Sequence, residues 1–184
     1  NYVAVFSDFS VINKTKSDLE RISHYDPVTG LPNRSLFQKR LQRAIEQTQG
    51  GDLILAVIVL DLDDFKTVND SLGHAQGDML LQIAAARFQT CIRPSDTVSR
   101  LGGDEFAFIL GNLATTDEVN LVAEKLLSSL EQPFDLKGAS TLITASLGIA
   151  IASNESASPE QLLRQADTAM NGKKENGRNG YRFY

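Results

Sequence analysis

The sequence predicts an α+β domain, a central and mostly antiparallel sheet flanked by helices. Three observations carry this expectation. The run Leu53–Leu60 is apolar throughout, as befits a central strand covered on both faces. A glycine pair, Gly102-Gly103, separates Val98 from the apolar stretch Phe106–Leu110, the pattern of a hairpin. Several other stretches return apolar residues every three or four positions, the period of helices packed on such a sheet.

The 184 residues suit one large domain with a fragment of a neighbour. A net charge of −5 argues against a nucleic-acid partner held by a basic surface. The single cysteine, Cys91, excludes an internal disulfide and fits a reducing, cytoplasmic setting. Leu53–Leu60 is the longest apolar run and is too short to span a bilayer. The chain begins with Asn1 and reads as a piece of a longer protein, which leaves membrane tethering elsewhere open.

Element by element, Tyr2 to Phe9 alternates like a strand, and helix-prone charged residues follow from Lys14 to Arg21. This pair resembles the last strand of a PAS sensor domain and its signalling helix; the alternative is an extension of no special role. The expected division is therefore 1–12 as a PAS-like fragment, 13–25 as a linker helix and 26–184 as the main domain. Asp26 to Arg34 is a turn fixed by two prolines and a glycine, with Asn33 capping a helix through Glu46. Leu53–Leu60 is the first core strand. A helix over Gly77–Phe88 turns Leu80, Ile83, Ala84 and Phe88 to one side. After the glycine hairpin, Thr115 and Glu118 form a capping box for a helix carrying Val119, Val122, Ala123, Leu126 and Leu127. Thr141–Ile151 reads as a strand interrupted at Gly148. Ser158 caps a last helix with Pro159 in its first turn and Gln161 as box partner; Leu162, Leu163, Ala166, Ala169 and Met170 face inward. Tyr181–Tyr184 closes as a short strand. This order of elements is that of compact ferredoxin-like palms, an architecture shared by nucleotidyl cyclases and many polymerases.

The chemistry concentrates at two places. The buried strand emerges into Asp61-Leu62-Asp63-Asp64-Phe65-Lys66, and the hairpin tip carries Asp104-Glu105. Adjacent carboxylates repel, a cost that a hard cation or a proton-transfer task explains. Asp61 and Glu105 meet if their strands are neighbours; the bland alternative is solvated strand ends. In Asn69-Asp70-Ser71-Leu72-Gly73-His74-Ala75-Gln76-Gly77-Asp78, amide and carboxylate side chains offer the donor and acceptor set that reads a guanine edge. No Gly-x-x-x-x-Gly-Lys-Ser/Thr loop occurs, so a triphosphate must be held by metal, scattered bases and main-chain amides.

These blocks, with Gly102 to Phe106, Thr144 to Ala150 and Gly177-Arg178-Asn179, resemble the successive motifs of the GGDEF family over about residues 24–184. The resemblance implies a diguanylate cyclase on a nucleotidyl-cyclase palm, condensing two GTP into cyclic di-GMP and two pyrophosphates across a homodimer. It implies Mg²⁺, with Mn²⁺ as a substitute, held by Asp61, Glu105 and the Leu62 carbonyl. Asp104 would help deprotonate the ribose 3′-hydroxyl or share in metal binding. Asn69 and Asp78 would read guanine, with Asp70 near the ribose and His74 beside them. Lys66, Lys174 and Arg178 would neutralise phosphates, aided by main-chain amides near Asp64 and Phe65. Arg93 and Asp96 match the Arg-x-x-Asp motif of a product-inhibition site, whose further arginines the sequence does not locate; the alternative is a surface ion pair.

Two positions depart from the family, Asn171 and Lys173, where a tyrosine and an alanine are usual, and they leave Lys173 as a rival to Lys174 on the phosphates. The ending Gly177–Tyr184 resembles chains that run on into an EAL phosphodiesterase domain. His24 and His74 lie too far apart in the pattern to share a metal, and Cys91 reads as inert core. Two alternatives to a diguanylate cyclase remain. One is a silent module that binds GTP or cyclic di-GMP and regulates an attached domain. The other is a nucleotidyl transferase preferring ATP, against which Asn69 and Asp78 argue.

Overall fold

The computed structural model describes residues 23–48, 53–136, 138–152 and 158–184. The expected PAS-like strand lies outside the described residues, as does nearly all of the linker helix; only Ser23 and His24 of its span are seen as helix. Helix α1 (Arg34–Thr48) precedes strand β1 (Ile54–Leu62). Two helices follow, α2 (Phe65–Leu72) and α3 (His74–Cys91), then the hairpin β2 (Thr97–Gly102) and β3 (Glu105–Leu113). Helix α4 (Thr116–Leu130), the short strands β4 (Phe134–Asp135) and β5 (Ser140–Thr141), β6 (Ala145–Ile151), α5 (Pro159–Glu175) and β7 (Gly180–Phe183) complete the chain.

The main sheet has the order β2-β3-β1-β6-β7. All its pairings are antiparallel except β6 with β7. Side chains alternate between its two faces. Leu55, Val57, Val59, Ala107 and Ile109 meet Phe37 and Leu41 of α1 and Leu162, Ala166 and Met170 of α5 on one side. Ile58, Leu60, Phe106 and Phe108 meet Leu80, Ala84 and Phe88 of α3 and Val119, Ala123 and Leu126 of α4 on the other. The Phe88 ring stands edge-on to Phe106 and Phe108, with centroids 5.1 and 5.7 Å away. Being covered twice is why β1 is apolar without alternation. Among the described residues no helix is long and apolar enough to cross a membrane.

The α+β class, the central strand and the last helix agree with the sequence expectation, and Ser158 Oγ does accept the Gln161 N–H as a cap. Four details differ. The sequence reading has no helix between the Leu53–Leu60 strand and Gly77, whereas α2 is a separate eight-residue helix and α3 starts at His74. The polar, glycine-bounded sequence there hides both. The expected strand from Thr141 is two elements, because Ser140–Thr141 pairs with β4 and β6 begins at Ala145. Gly148 does not interrupt β6; it is where α5 lies against the strand. The box at Thr115 is half-formed: the Thr115 side chain makes no capping bond, while Glu118 Oε1 accepts from the Ala114 N–H.

Candidate active site

Register decides what meets at the end of β1. Asp61 lies directly opposite Glu105, on the face covered by α1 and α5, and the Leu62 N–H donates to the Asp104 carbonyl at 3.3 Å. Asp61, Leu62, Asp104 and Glu105 are thereby gathered at one strand end. Burial pushes the Asp61 carboxyl up to about 6; the charges of Asp104 and Glu105 add to the rise, and a hydrogen bond from Lys174 opposes it. Lys174 Nζ, in the last turn of α5, sits 2.8 Å from Asp61 Oδ1. Arg34, the first residue of α1, reaches Glu105 Oε2 at 3.4 Å. Among the described residues no three His, Cys, Asp or Glu side chains form a ready-made metal cluster. What is present is a carboxylate pair with main-chain oxygen nearby, an all-oxygen set suited to a hard cation that also binds substrate phosphates. The lysine already against Asp61 shows that the position accommodates positive charge.

Three residues outside the sequence-based site hold this arrangement. Arg100 donates to both Asp26 carboxylate oxygens at 2.9 and 3.0 Å, and to the Gly103 carbonyl at 2.9 and 2.7 Å. It thus ties the hairpin tip, where Gly102 and Gly103 have φ of 147° and 54°, to the turn before α1. Asp26 also accepts from the Thr29 N–H and hydroxyl. Burial alone would raise its pKa, but the bonds from Thr29 and Arg100 outweigh it and hold the carboxyl below its usual value. Asp63 is buried and accepts from the Thr144 and Ser146 hydroxyls at 2.6 and 2.7 Å and the Asn179 N–H at 3.2 Å. It therefore joins the end of β1 to β6 and to the Gly177-Arg178-Asn179 turn, whose Arg178 reaches Asp64 at 3.6 Å. Arg34 is the third. Apart from the Gly103 carbonyl, their partners lie far away in the chain, which is why the sequence offered no signal beyond their place in the motifs.

The remaining expected residues sit on α2 and α3. Asp64 precedes α2 with φ 57° and makes no side-chain capping bond, so the first-turn N–H groups at Phe65 and Lys66 have no intrahelical or capping partner. Asn69 lies against Gly77, where a Cβ would stand 1.9 Å from Asn69 Oδ1. That contact brings Asn69 beside Asp78, which is exposed, as are Asp70, His74 and Lys66.

Arg93 and Asp96 occupy a different place, in the turn between α3 and β2. The Arg93 N–H donates to Asp96 Oδ2 at 3.0 Å, and its guanidinium donates to Glu118 Oε2 at 2.6 Å. Both line a cavity of about 360 Å³ together with Arg40, an arginine the sequence did not single out. Asp96 Oδ1 is buried there without a hydrogen-bond partner.

The family described as "Diguanylate cyclase, GGDEF domain" matches residues 23–180. The chain belongs to the GGDEF family.

Relatives of this GGDEF domain include the bifunctional diguanylate cyclase/cyclic di-GMP phosphodiesterase MucR of Pseudomonas aeruginosa, 40% identical over 171 residues, 93% of this chain and 25% of MucR. The cyclic di-GMP phosphodiesterase NbdA of the same organism is 36% identical over 173 residues, 94% of this chain and 22% of NbdA. The solved GGDEF domain of P. aeruginosa TpbB superposes with a TM-score of 0.83 at 39% identity, over 87% of this chain and 94% of that one. The chain spans about a quarter of the two curated relatives. Of the two positions that depart from the family, Asn171 is an exposed residue bonded to Asp167 at 3.4 Å, and Lys173 packs over Gly180 of β7 rather than toward Asp61. Cys91 ends α3 half-buried, and burial pushes its thiol up, away from reactivity.

Proposed function

We propose that this GGDEF domain is one half of a diguanylate cyclase that joins two GTP into cyclic di-GMP with release of two pyrophosphates. The observation that carries the reading is the Asp61–Glu105 cross-strand pair with Asp104 bonded at its side. Asp61, Glu105 and the Leu62 carbonyl would hold Mg²⁺, with Mn²⁺ as a substitute. Bound there, the cation would offset charge developing on the α-phosphoryl oxygens. Asp104 takes the proton of the attacking 3′-hydroxyl. Asn69 and Asp78 read guanine, Asp70 and His74 flank the ribose, and the α2 amides with Lys66, Lys174 and Arg178 hold the phosphates. The contact between Lys174 and Asp61 favours Lys174 over Lys173 for that task. Each domain holds one GTP, so two domains must face each other. Arg93, Asp96 and Arg40 would receive the product as an inhibitor.

The test is to dimerise the chain through an N-terminal coiled-coil fusion, supply GTP and Mg²⁺, and identify products by chromatography. Cyclic di-GMP and pyrophosphate are expected from the parent, and an Asp104→Asn chain should lose at least about a hundredfold in rate, the lower bound for removing a general base. GTP left intact by a folded dimer would sink the enzymatic reading. A second reading, a silent regulatory module, is favoured by NbdA, which bears a phosphodiesterase name yet aligns with nearly all of this domain. Saturable nucleotide binding without turnover would select it.

Gly77→Ala isolates the guanine contact. The new methyl group would displace the Asn69 amide and press lightly on the Phe65 ring, 3.3 Å away, while alanine favours helix more than glycine. GTP binding by calorimetry should weaken roughly tenfold, the worth of about one hydrogen bond, with little change in melting temperature. Unchanged affinity would remove Asn69 from the guanine site.

A further inference from the structure

Both carboxylates expected to receive the cation are engaged by bases, and the two bases come from different helices. Lys174 descends from the last turn of α5 onto Asp61 at 2.8 Å; Arg34 reaches from the start of α1 to Glu105 at a looser 3.4 Å. The lysine contact is short and partly screened, with Lys174 and Asp61 side chains 31% and 11% exposed. A divalent ion bound to the same oxygen would lie at roughly 2.1 Å from it and within a few ångströms of the ammonium, where two positive charges in a partly buried place repel each other.

We propose that Lys174, assisted by Arg34, is a built-in counter-ion that fills the cation position of the nucleotide-free site, so that divalent metal binds well only together with a triphosphate. The inference rests on the reading of Asp61 and Glu105 as metal ligands. A bare cation must expel the lysine into water and leave it unpaired. A metal–triphosphate complex brings its own negative charge, and the displaced ammonium moves onto a phosphate without losing a partner. Arg34 also has somewhere to go. It borders a cleft of about 270 Å³ beside Glu105 that is lined as well by Arg164 and Asp167 of α5, and Asp167 offers a second carboxylate. Metal and nucleotide then bind with positive coupling, which by linkage is equal in both directions.

The direct probe is Mn²⁺ alone, titrated by electron paramagnetic resonance into the whole chain without nucleotide and again with α,β-methylene GTP, which cannot be cyclised. The analogue should tighten Mn²⁺ binding to the parent within the usual range of coupled sites, about 5- to 150-fold. In Lys174→Met, bare Mn²⁺ should bind on the order of tenfold tighter and the gain from the analogue should shrink. Lys174→Gln repeats the test with a polar side chain, Arg34→Gln should give a smaller change in the same direction, and adding Asp61→Asn should abolish the gain. Equal bare-Mn²⁺ affinity in the parent and Lys174→Met, lost in both with Asp61→Asn, would overturn the counter-ion role and leave the metal ligands standing. Absence of any Asp61-dependent Mn²⁺ binding would overturn both together.

Discussion

Arg100→Met is expected to cost about 3 kcal/mol of stability, the lower end for removing one partner of a largely buried ion pair, and to disable the site as well. The Arg100 and Asp26 side chains are only 10% and 15% exposed, so methionine would leave the Asp26 carboxylate in a poorly solvated place with only its Thr29 bonds. Both guanidinium bonds to the Gly103 carbonyl would go too, freeing the hairpin tip that carries Asp104 and Glu105. A loss of this size lowers the melting temperature of a domain this large by roughly 10 °C. The pH dependence identifies the cause. In the parent, Asp26 has a folded pKa below its unfolded value, so its contribution is present above the unfolded value of 3.8 and is lost as pH falls through the folded one. In Arg100→Met the carboxyl keeps its Thr29 bonds but loses the bond and the charge from Arg100, so burial is opposed less and its folded pKa rises relative to the parent. The stability gap between the two chains should therefore narrow on acidification toward pH 4. Denaturant midpoints across that range measure it; a gap independent of pH would mean that the pair is not what stabilises the turn.

Gly148→Ala should be damaging for a purely steric reason. A Cβ at this position would stand 1.9 Å from the Ala166 carbonyl oxygen and 2.3 Å from the Met170 nitrogen. Both are backbone atoms of α5, so no side-chain rotation relieves the clash and the whole helix must lift from β6. Overpacking typically costs about 1–3 kcal/mol, and a backbone clash that no rotamer relieves belongs at the upper end of that range. The same displacement would withdraw Lys174, one turn beyond Met170, from Asp61. Urea unfolding and the Mn²⁺ titration on one preparation would report both effects. A midpoint unchanged from the parent would show that α5 is free to shift, and with it that the close approach is not what fixes Lys174.

The apolar run of β1, the glycine hairpin, the Asn33 and Ser158 caps and the inward face of α5 were all legible along the chain. Each is governed by neighbours a few positions away, through strand burial, turn geometry or helical period. The carboxylates Asp61, Asp104 and Glu105 were legible as candidates as well, because adjacent acids at a strand end and a hairpin tip have few other uses. Helix α2 was not: it is eight residues long, polar, and opens on Asp64 in a left-handed conformation. The box at Thr115 was misread because the Glu118 carboxylate also bonds Arg93, 25 residues earlier.

Local pattern thus determined most of the elements, where the chemistry-bearing residues stand along the chain and what family they compose. It left open whether Asp61 meets Glu105, since that depends on β1 lying next to β3 in one register out of several. It was equally silent on Arg34 with Glu105, 71 residues apart, Arg100 with Asp26, 74 apart, and Asp63 with Ser146, 83 apart. Such pairs form because packing the two helical layers against the sheet brings distant segments together. The charge that each residue meets there, and therefore its pKa and its partner, is a property of that packing rather than of the residues beside it in the chain.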